Sequence, residues 1–148
     1  MDFDELELCH LVCEDVGMTL GKAVGEYIII NSTSGYGFAT GLIDEACADA
    51  AISFEDRAQL TFQKSVNYCE NVEGMPSEEL ITFLEGFAQG ARCTLFIDLK
   101  SGQNGHHIWE AVFRGVGIAL GQALSFDSSR EGLTSGVAGK VEYEVSAE

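Results

Sequence analysis

Two adjacent histidines, His106 and His107, follow a Gly/Asn-rich turn and open an apolar, periodic stretch that reads as a helix to about Leu124. Glu110 lies four residues after His106, the spacing that places two side chains on one helical face. His107 projects about 100° further round the helix, so the pair reaches toward two different positions. Imidazole and carboxylate together suit a divalent Mn, Fe, Zn or Ni ion, and a helix holds them in fixed relation. The plain alternative is a polar helix start whose histidines face water.

The H-x-x-x-E spacing recurs near the N-terminus as His10 and Glu14, again leading into a glycine-punctuated apolar helix. Residues 16–21, Val-Gly-Met-Thr-Leu-Gly, echo residues 116–121, Val-Gly-Ile-Ala-Leu-Gly, as duplicated helical units would. Leu11 stands where the second histidine would be. Cys9 and Cys13 share the adjacent helical face. They could turn a hard manganese-type site into a softer one that prefers zinc, or be two small buried helix cysteines.

These residues resemble the imidazoleglycerol-phosphate dehydratase family. The family's second motif, G-x-N-x-H-H-x-x-E-A-x-F-K, is matched by Gly102, Asn104, His106, His107, Glu110, Ala111 and Phe113, with Arg114 in place of lysine. Its first motif, D-H-H-T-V-E-D-V-G, corresponds to residues 9–17. Ile43, Asp44, Glu45 and Ala46 resemble M-D-E-A, Arg57 fits the arginine of S-G-R, and residues 94–97 resemble T-L-H-I with Phe96 at the histidine. The resemblance covers roughly residues 4–124. It implies an α/β (α+β) fold: one half-repeat with a mixed four-stranded sheet, helices on one face, and an extra N-terminal helix. Residues 1–30 would be a remnant of the first repeat, 36–124 the second repeat and 125–148 a divergent tail, all in a single domain.

The resemblance further implies a manganese-dependent carbon–oxygen lyase of histidine biosynthesis, with zinc or iron as alternatives. His10, Glu14, His106, His107 and Glu110 would be metal ligands, Glu14 and Glu110 the acid/base groups, and Arg57 and Arg114 the phosphate partners. Leu11, Phe96 and Thr82 stand at lost ligand positions, and the family's preceding half is expected to be missing. The expectation is therefore a metal-binding relative, impaired or inactive as a lone chain. One alternative is a working dehydratase whose sites are completed between subunits or by a chain supplying the other half. Another is a metal-free small-molecule binder.

With 148 residues and 46% apolar content, the chain suits one domain with a real core. A net charge of −16 argues against nucleic acid and anionic membrane surfaces as partners. Five cysteines without paired spacing read as reduced thiols in a cytoplasmic protein. The acidic start lacks a signal peptide's pattern, and no apolar run is long enough to span a bilayer. The glycines at 35, 37 and 41 miss a dinucleotide loop by one residue, and Trp109 stands where an EF-hand needs its last acid.

The elements that must position these groups follow from periodicity. Residues 2–8 alternate as a short strand end, and a helix runs from about Cys9 to about Tyr27. Gly17 and Gly21 in it suit close approach of a neighbour, expected to be the 106–124 helix through Gly117 and Gly121. Residues 37–52 and 57–64 read as a hairpin, with 46–51 a strand despite its alanines. A helix capped by Ser77 buries Leu80, Phe83, Leu84, Phe87 and Ala91; a strand follows at 93–98, and an edge strand is expected at 140–145. An apolar stripe left on the first helix predicts a homo-oligomer.

Overall fold

The computed structural model describes residues 5–66 and 70–133, so the expected 140–145 strand lies outside the described residues. Helix α1 spans Glu5–Ile30 and is followed by strands β1 (Tyr36–Ile43), β2 (Ala46–Ser53) and β3 (Gln59–Lys64). A two-stranded ribbon, β4 (Asn71–Val72) with β5 (Met75–Pro76), leads into α2 (Ser77–Ala91). Strand β6 (Thr94–Ser101), helix α3 (Gly105–Ala123) and a 3-10 turn (Ser128–Arg130) complete the order. The main sheet has the order β1-β2-β6-β3. β1–β2 and β2–β6 are antiparallel and β3–β6 parallel, which makes a mixed four-stranded sheet as expected.

The sheet buries one face. Ala46, Ala48, Ala50 and Ile52 of β2 pair across to Leu95, Ile97 and Leu99 of β6, and all are buried. Strict alternation along β2 settles residues 46–51 as a strand: Ala46, Ala48 and Ala50, three of its four alanines, are fully buried on the face that α3 covers. The expected pairing of 37–52 with 57–64 is replaced by a hairpin inside the first stretch. Asp44 adopts a positive φ of 44°, which closes a two-residue turn between β1 and β2. β3 then lies beyond β6, and the parallel pairing needs the crossover that α2 supplies.

Both α2 and α3 cover the buried face and touch each other. Trp109 donates its indole N–H to Ser77 Oγ at 2.9 Å, and the Phe83 and Phe113 rings lie 6.0 Å apart. Ser77 is thus not the cap of α2; Pro76 holds that position without a side-chain cap, and the serine hydroxyl serves the tryptophan.

Two other expectations are corrected at α1. Its helix begins by Glu5, absorbing residues read as a strand end; Leu8, four residues before Val12, extends the helical spacing of the apolar positions. It packs on α2 and not on α3. A Cβ added at Gly17 or Gly21 would strike the backbone of Phe83 or Phe87, and one at Gly86 or Gly90 the backbone of Glu14 or Met18. Glycines on both helices therefore interlock, whereas Gly117 and Gly121 of α3 have no atom within 4 Å of that position. Gly90→Ala should loosen this crossing and destabilise the fold by about 1–3 kcal/mol. Chemical denaturation would read it, with Gly117→Ala neutral or slightly stabilising as the control. No helix among the described residues is long and apolar enough to cross a membrane.

Candidate metal centre

The hairpin turn Asp44–Glu45 and the start of α3 meet at one end of the sheet. Asn104 caps α3, its side chain accepting the His106 backbone N–H at 2.9 Å, so both histidines are presented from the first turn. Glu45 reaches across to the same turn. One carboxylate oxygen accepts the backbone N–H groups of Gln103 (3.1 Å) and Asn104 (2.9 Å), and the other pairs with His107 Nδ1 at 2.8 Å. The backbone amide of Asn104 first, and then His107, hold the Glu45 carboxyl at about 2, well below its ordinary value. His107 is raised in turn, chiefly by the Glu45 bond.

All three histidines share one arrangement. His107 Nδ1 is held by Glu45, His106 Nδ1 by Glu73 at 2.9 Å, and His10 Nδ1 by Glu79 at 3.0 Å. Each carboxylate comes from a different element and engages Nδ1 rather than Nε2. A carboxylate behind a ligating imidazole fixes its tautomer and raises its basicity, the usual second layer of a metal site. His106 Nε2 stands 3.4 Å from Glu110, and His107 Nε2 stands 3.6 Å from Asp44. Both separations exceed a good hydrogen bond and suit a nitrogen and an oxygen sharing one cation. Among the described residues, Asp44, Glu45 and His107 form the one group of three ligating side chains whose atoms lie within 4.8 Å of one another.

The other predicted residues are placed as follows. Glu110 sits between His106 and Arg114, the latter bonding it at 2.6 Å and the Leu42 carbonyl at 2.9 Å. His10 and Glu14 lie on α1 against α2, and the packed partner of His10 is Glu79. Within one chain they do not join His106, His107 and Glu110 in a cluster of three. Arg57 is exposed in the link from β2 to β3, at the far end of the sheet from Asp44. An eight-residue strand separates those ends by roughly 25 Å. A groove of about 540 Å³ beside His106 and Glu110 is walled by Val72, Leu80, Trp109 and Phe113. A larger cavity of about 670 Å³, between the ends of α1 and α2, contains none of the predicted residues.

The orienting carboxylates Glu45, Glu73 and Glu79, and the flanking Asp44, are absent from the sequence-derived ligand set. The resemblance of residues 43–46 to M-D-E-A marks Asp44 and Glu45, though not as ligands; Glu73 and Glu79 carry no comparable signal in the sequence. The Glu45–His107 pair gives a pH expectation. The raised His107 contributes stability that is complete below its unfolded value of 6.5 and disappears as pH rises through the folded value. The depressed Glu45 contributes stability present above 4.5 that is lost as pH falls toward about 2. Both are in force between 4.5 and 6.5. An NMR titration of the metal-free protein should find the His107 imidazole above its ordinary pKa, and Glu45→Gln should lower it.

A family model described as imidazoleglycerol-phosphate dehydratase matches residues 4–120. Imidazoleglycerol-phosphate dehydratase of Nitratidesulfovibrio vulgaris is 36% identical over 135 residues, covering 88% of this chain and 67% of the relative. That of Pyrococcus furiosus is 35% identical over 131 residues, covering 88% and 72%. Two solved structures of such enzymes superpose well. The Staphylococcus aureus one has a TM-score of 0.75 at 33% identity, covering 80% of this chain and 69% of that one. The Pyrococcus furiosus one has a TM-score of 0.77 at 31% identity, covering 95% and 74%.

Proposed function

Since the chain belongs to the imidazoleglycerol-phosphate dehydratase family, we propose that it binds one divalent metal ion where the Asp44–Glu45 turn meets α3. We further propose that, as a lone chain, it dehydrates the family's substrate weakly or not at all. The observation that carries the metal reading is the shared posture of the histidines, each with Nδ1 held by a carboxylate that does not engage Nε2. His107 Nε2 and Asp44 would hold the ion, while Glu45, with both oxygens already accepting, orients the imidazole. His106 and Glu110 offer a second nitrogen–oxygen pair beside them. Bound there, manganese, zinc or iron would act as a Lewis acid on a coordinated ligand.

Impairment follows from the ligand count and from the cations. Two protein ligands leave most of an ion's coordination sphere to water or to another molecule. Arg114 is engaged with Glu110 and Leu42, and Arg57 lies at the other end of the sheet, so one chain does not focus two arginines on one phosphate. The second reading is a working dehydratase whose sites are completed by other copies. It is favoured by His10, which is held by Glu79 although no cluster of three ligating groups includes it among the described residues.

Elemental analysis of protein purified without chelator, beside His106→Ala and His107→Ala variants, tests both. The expected result is a single Mn, Zn or Fe per chain, lost on His107→Ala, with little turnover of imidazoleglycerol phosphate. Metal no higher than in the variants removes the metal reading. Two ions with sustained turnover establish the working enzyme instead.

A further inference from the structure

Helices α1 and α2 run parallel and end together. Gly17, Gly21 and Gly25 of α1 meet Phe83, Phe87 and Ala91 of α2 in turn, so both C-termini reach one end of the molecule. The cavity of about 670 Å³ lies there, and its walls include Ile28, Ile29, Ile30, Gly90 and Ala91 from the last turns. Among the described residues the carbonyls of those five accept no hydrogen bond; the amides that follow turn back to Tyr27, Asn31, Ala88 and Gln89 instead. Neither helix has a basic residue in its last turn, so the negative end of each dipole lacks a counter-charge. We propose that this cavity binds an amphipathic organic cation, an ammonium carried on an apolar body.

The sign of the head group follows from the charges around the cavity. Arg92 and Asp56 cancel, the guanidinium donating to the Asp56 carboxylate and, at 3.0 Å, to its backbone carbonyl. Lys22 stands two turns back from the end of α1, roughly 12 Å along its axis, with Glu26 between them. At the end itself remain two aligned dipoles and the Glu26 carboxylate, in a chain of net charge −16, and all of these favour a positive ligand. An ammonium also brings three N–H donors to carbonyls that lack partners. The apolar body follows from the walls. Phe54 and Ile28 are buried behind the cavity, and Ile29 and Leu133 are 75% and 67% exposed beside it, surface that a bare inorganic ion would leave in water. The volume is that of a small-molecule site. None of these residues belongs to the centre at α3, so the site does not depend on the dehydratase reading.

Hexylammonium, hexanol and hexanoate share one body and differ in the head, and titration of each into the full chain, followed by amide NMR, tests the site. Hexylammonium should saturate, with shifts centred on residues 25–32 and 89–92. Hexanol, without the charge-assisted bonds, should bind at least about tenfold more weakly. Hexanoate, and methylammonium at the same concentration, should shift neither stretch. Glu26→Gln should weaken hexylammonium roughly two- to fivefold, the weight of one exposed charge. Ile29→Lys tethers an ammonium beside the cavity from a side chain that is already exposed, and should abolish binding. Ile118→Lys adds the same charge on α3, outside the cavity, and should leave binding unchanged. No saturable hexylammonium shift, equal binding of hexanol or hexanoate, or binding that survives Ile29→Lys overturns the proposal. So do shifts spread over the acidic surface and reduced equally by both lysines, which would mean a diffuse counter-ion only. Should Ile29→Lys lose the dispersed spectrum of a folded chain, the comparison of heads in the unmodified protein decides alone.

Discussion

Replacing Gly41 by valine should cost at least about 3 kcal/mol, the upper end of what overpacking a core costs. Helix α3 lies directly on the backbone of β1. A Cβ at Gly41 would fall on the carbonyl oxygen of Ala111 and 2.6 Å from the amide nitrogen of Gly115, and one at Gly37 on the carbonyl of Ala119. These are backbone atoms of a continuous helix, so no side-chain rotation relieves the clash. The helix would have to lift from β1 and β2 together, opening the contact over Ala48 and Ala50, both fully buried. For a chain of this size each kcal/mol lowers Tm by about 2–4 °C. Thermal unfolding should therefore show a drop of roughly 6 °C or more, and an unchanged Tm would mean that α3 does not sit on β1 this closely.

The second large effect is expected at Glu45. Glu45→Ala removes the acceptor of the Gln103 and Asn104 amides and the partner of His107 in one step. Three donors clustered at the head of α3 lose their common acceptor, and the imidazole is free to rotate. Outer carboxylates of this kind typically account for about 10–100-fold in metal affinity, so a loss of that order is expected from competition with a chelator. Glu45→Gln, which keeps an acceptor but no charge, should fall between the two. Equal metal affinity in Glu45→Ala and the unmodified protein would mean that His107 needs no orienting group.

The sequence carried the family and most of the elements, because local patterns encode both. The H-H-x-x-E spacing, the Gly/Asn turn and the Asn104 position locate the start of α3, and alternation locates β2 and β6. Pairing between distant segments was less legible. Gly17 and Gly21 announce a close neighbour but not which one, and the answer depended on Gly86 and Gly90 of α2, which interlock with them. Likewise the tight seat of α3 is made by Gly37 and Gly41 in a strand, not by the Gly117 and Gly121 that mirror α1. At the site, ligand types were visible and their holders were not. Glu73 and Glu79 stand 33 and 69 residues from the histidines they hold.

The seat of α1 has a consequence for how the molecule opens. Its extensive packing is with α2, and Leu11, Val12, Val16 and Leu20 on its outer side are half exposed. Among the described residues Ile28 is the one α1 side chain in the buried hydrophobic core, whereas Leu84, Leu95, Ile97, Ile108 and Val112 come from α2, β6 and α3. The 26-residue helix is thus poised to detach as one cooperative unit below the free energy of global unfolding. In native-state hydrogen exchange its amides should exchange as a block, ahead of those in β2 and β6. A protease would then find its first foothold in α1, and the remainder should survive that cut as a folded fragment.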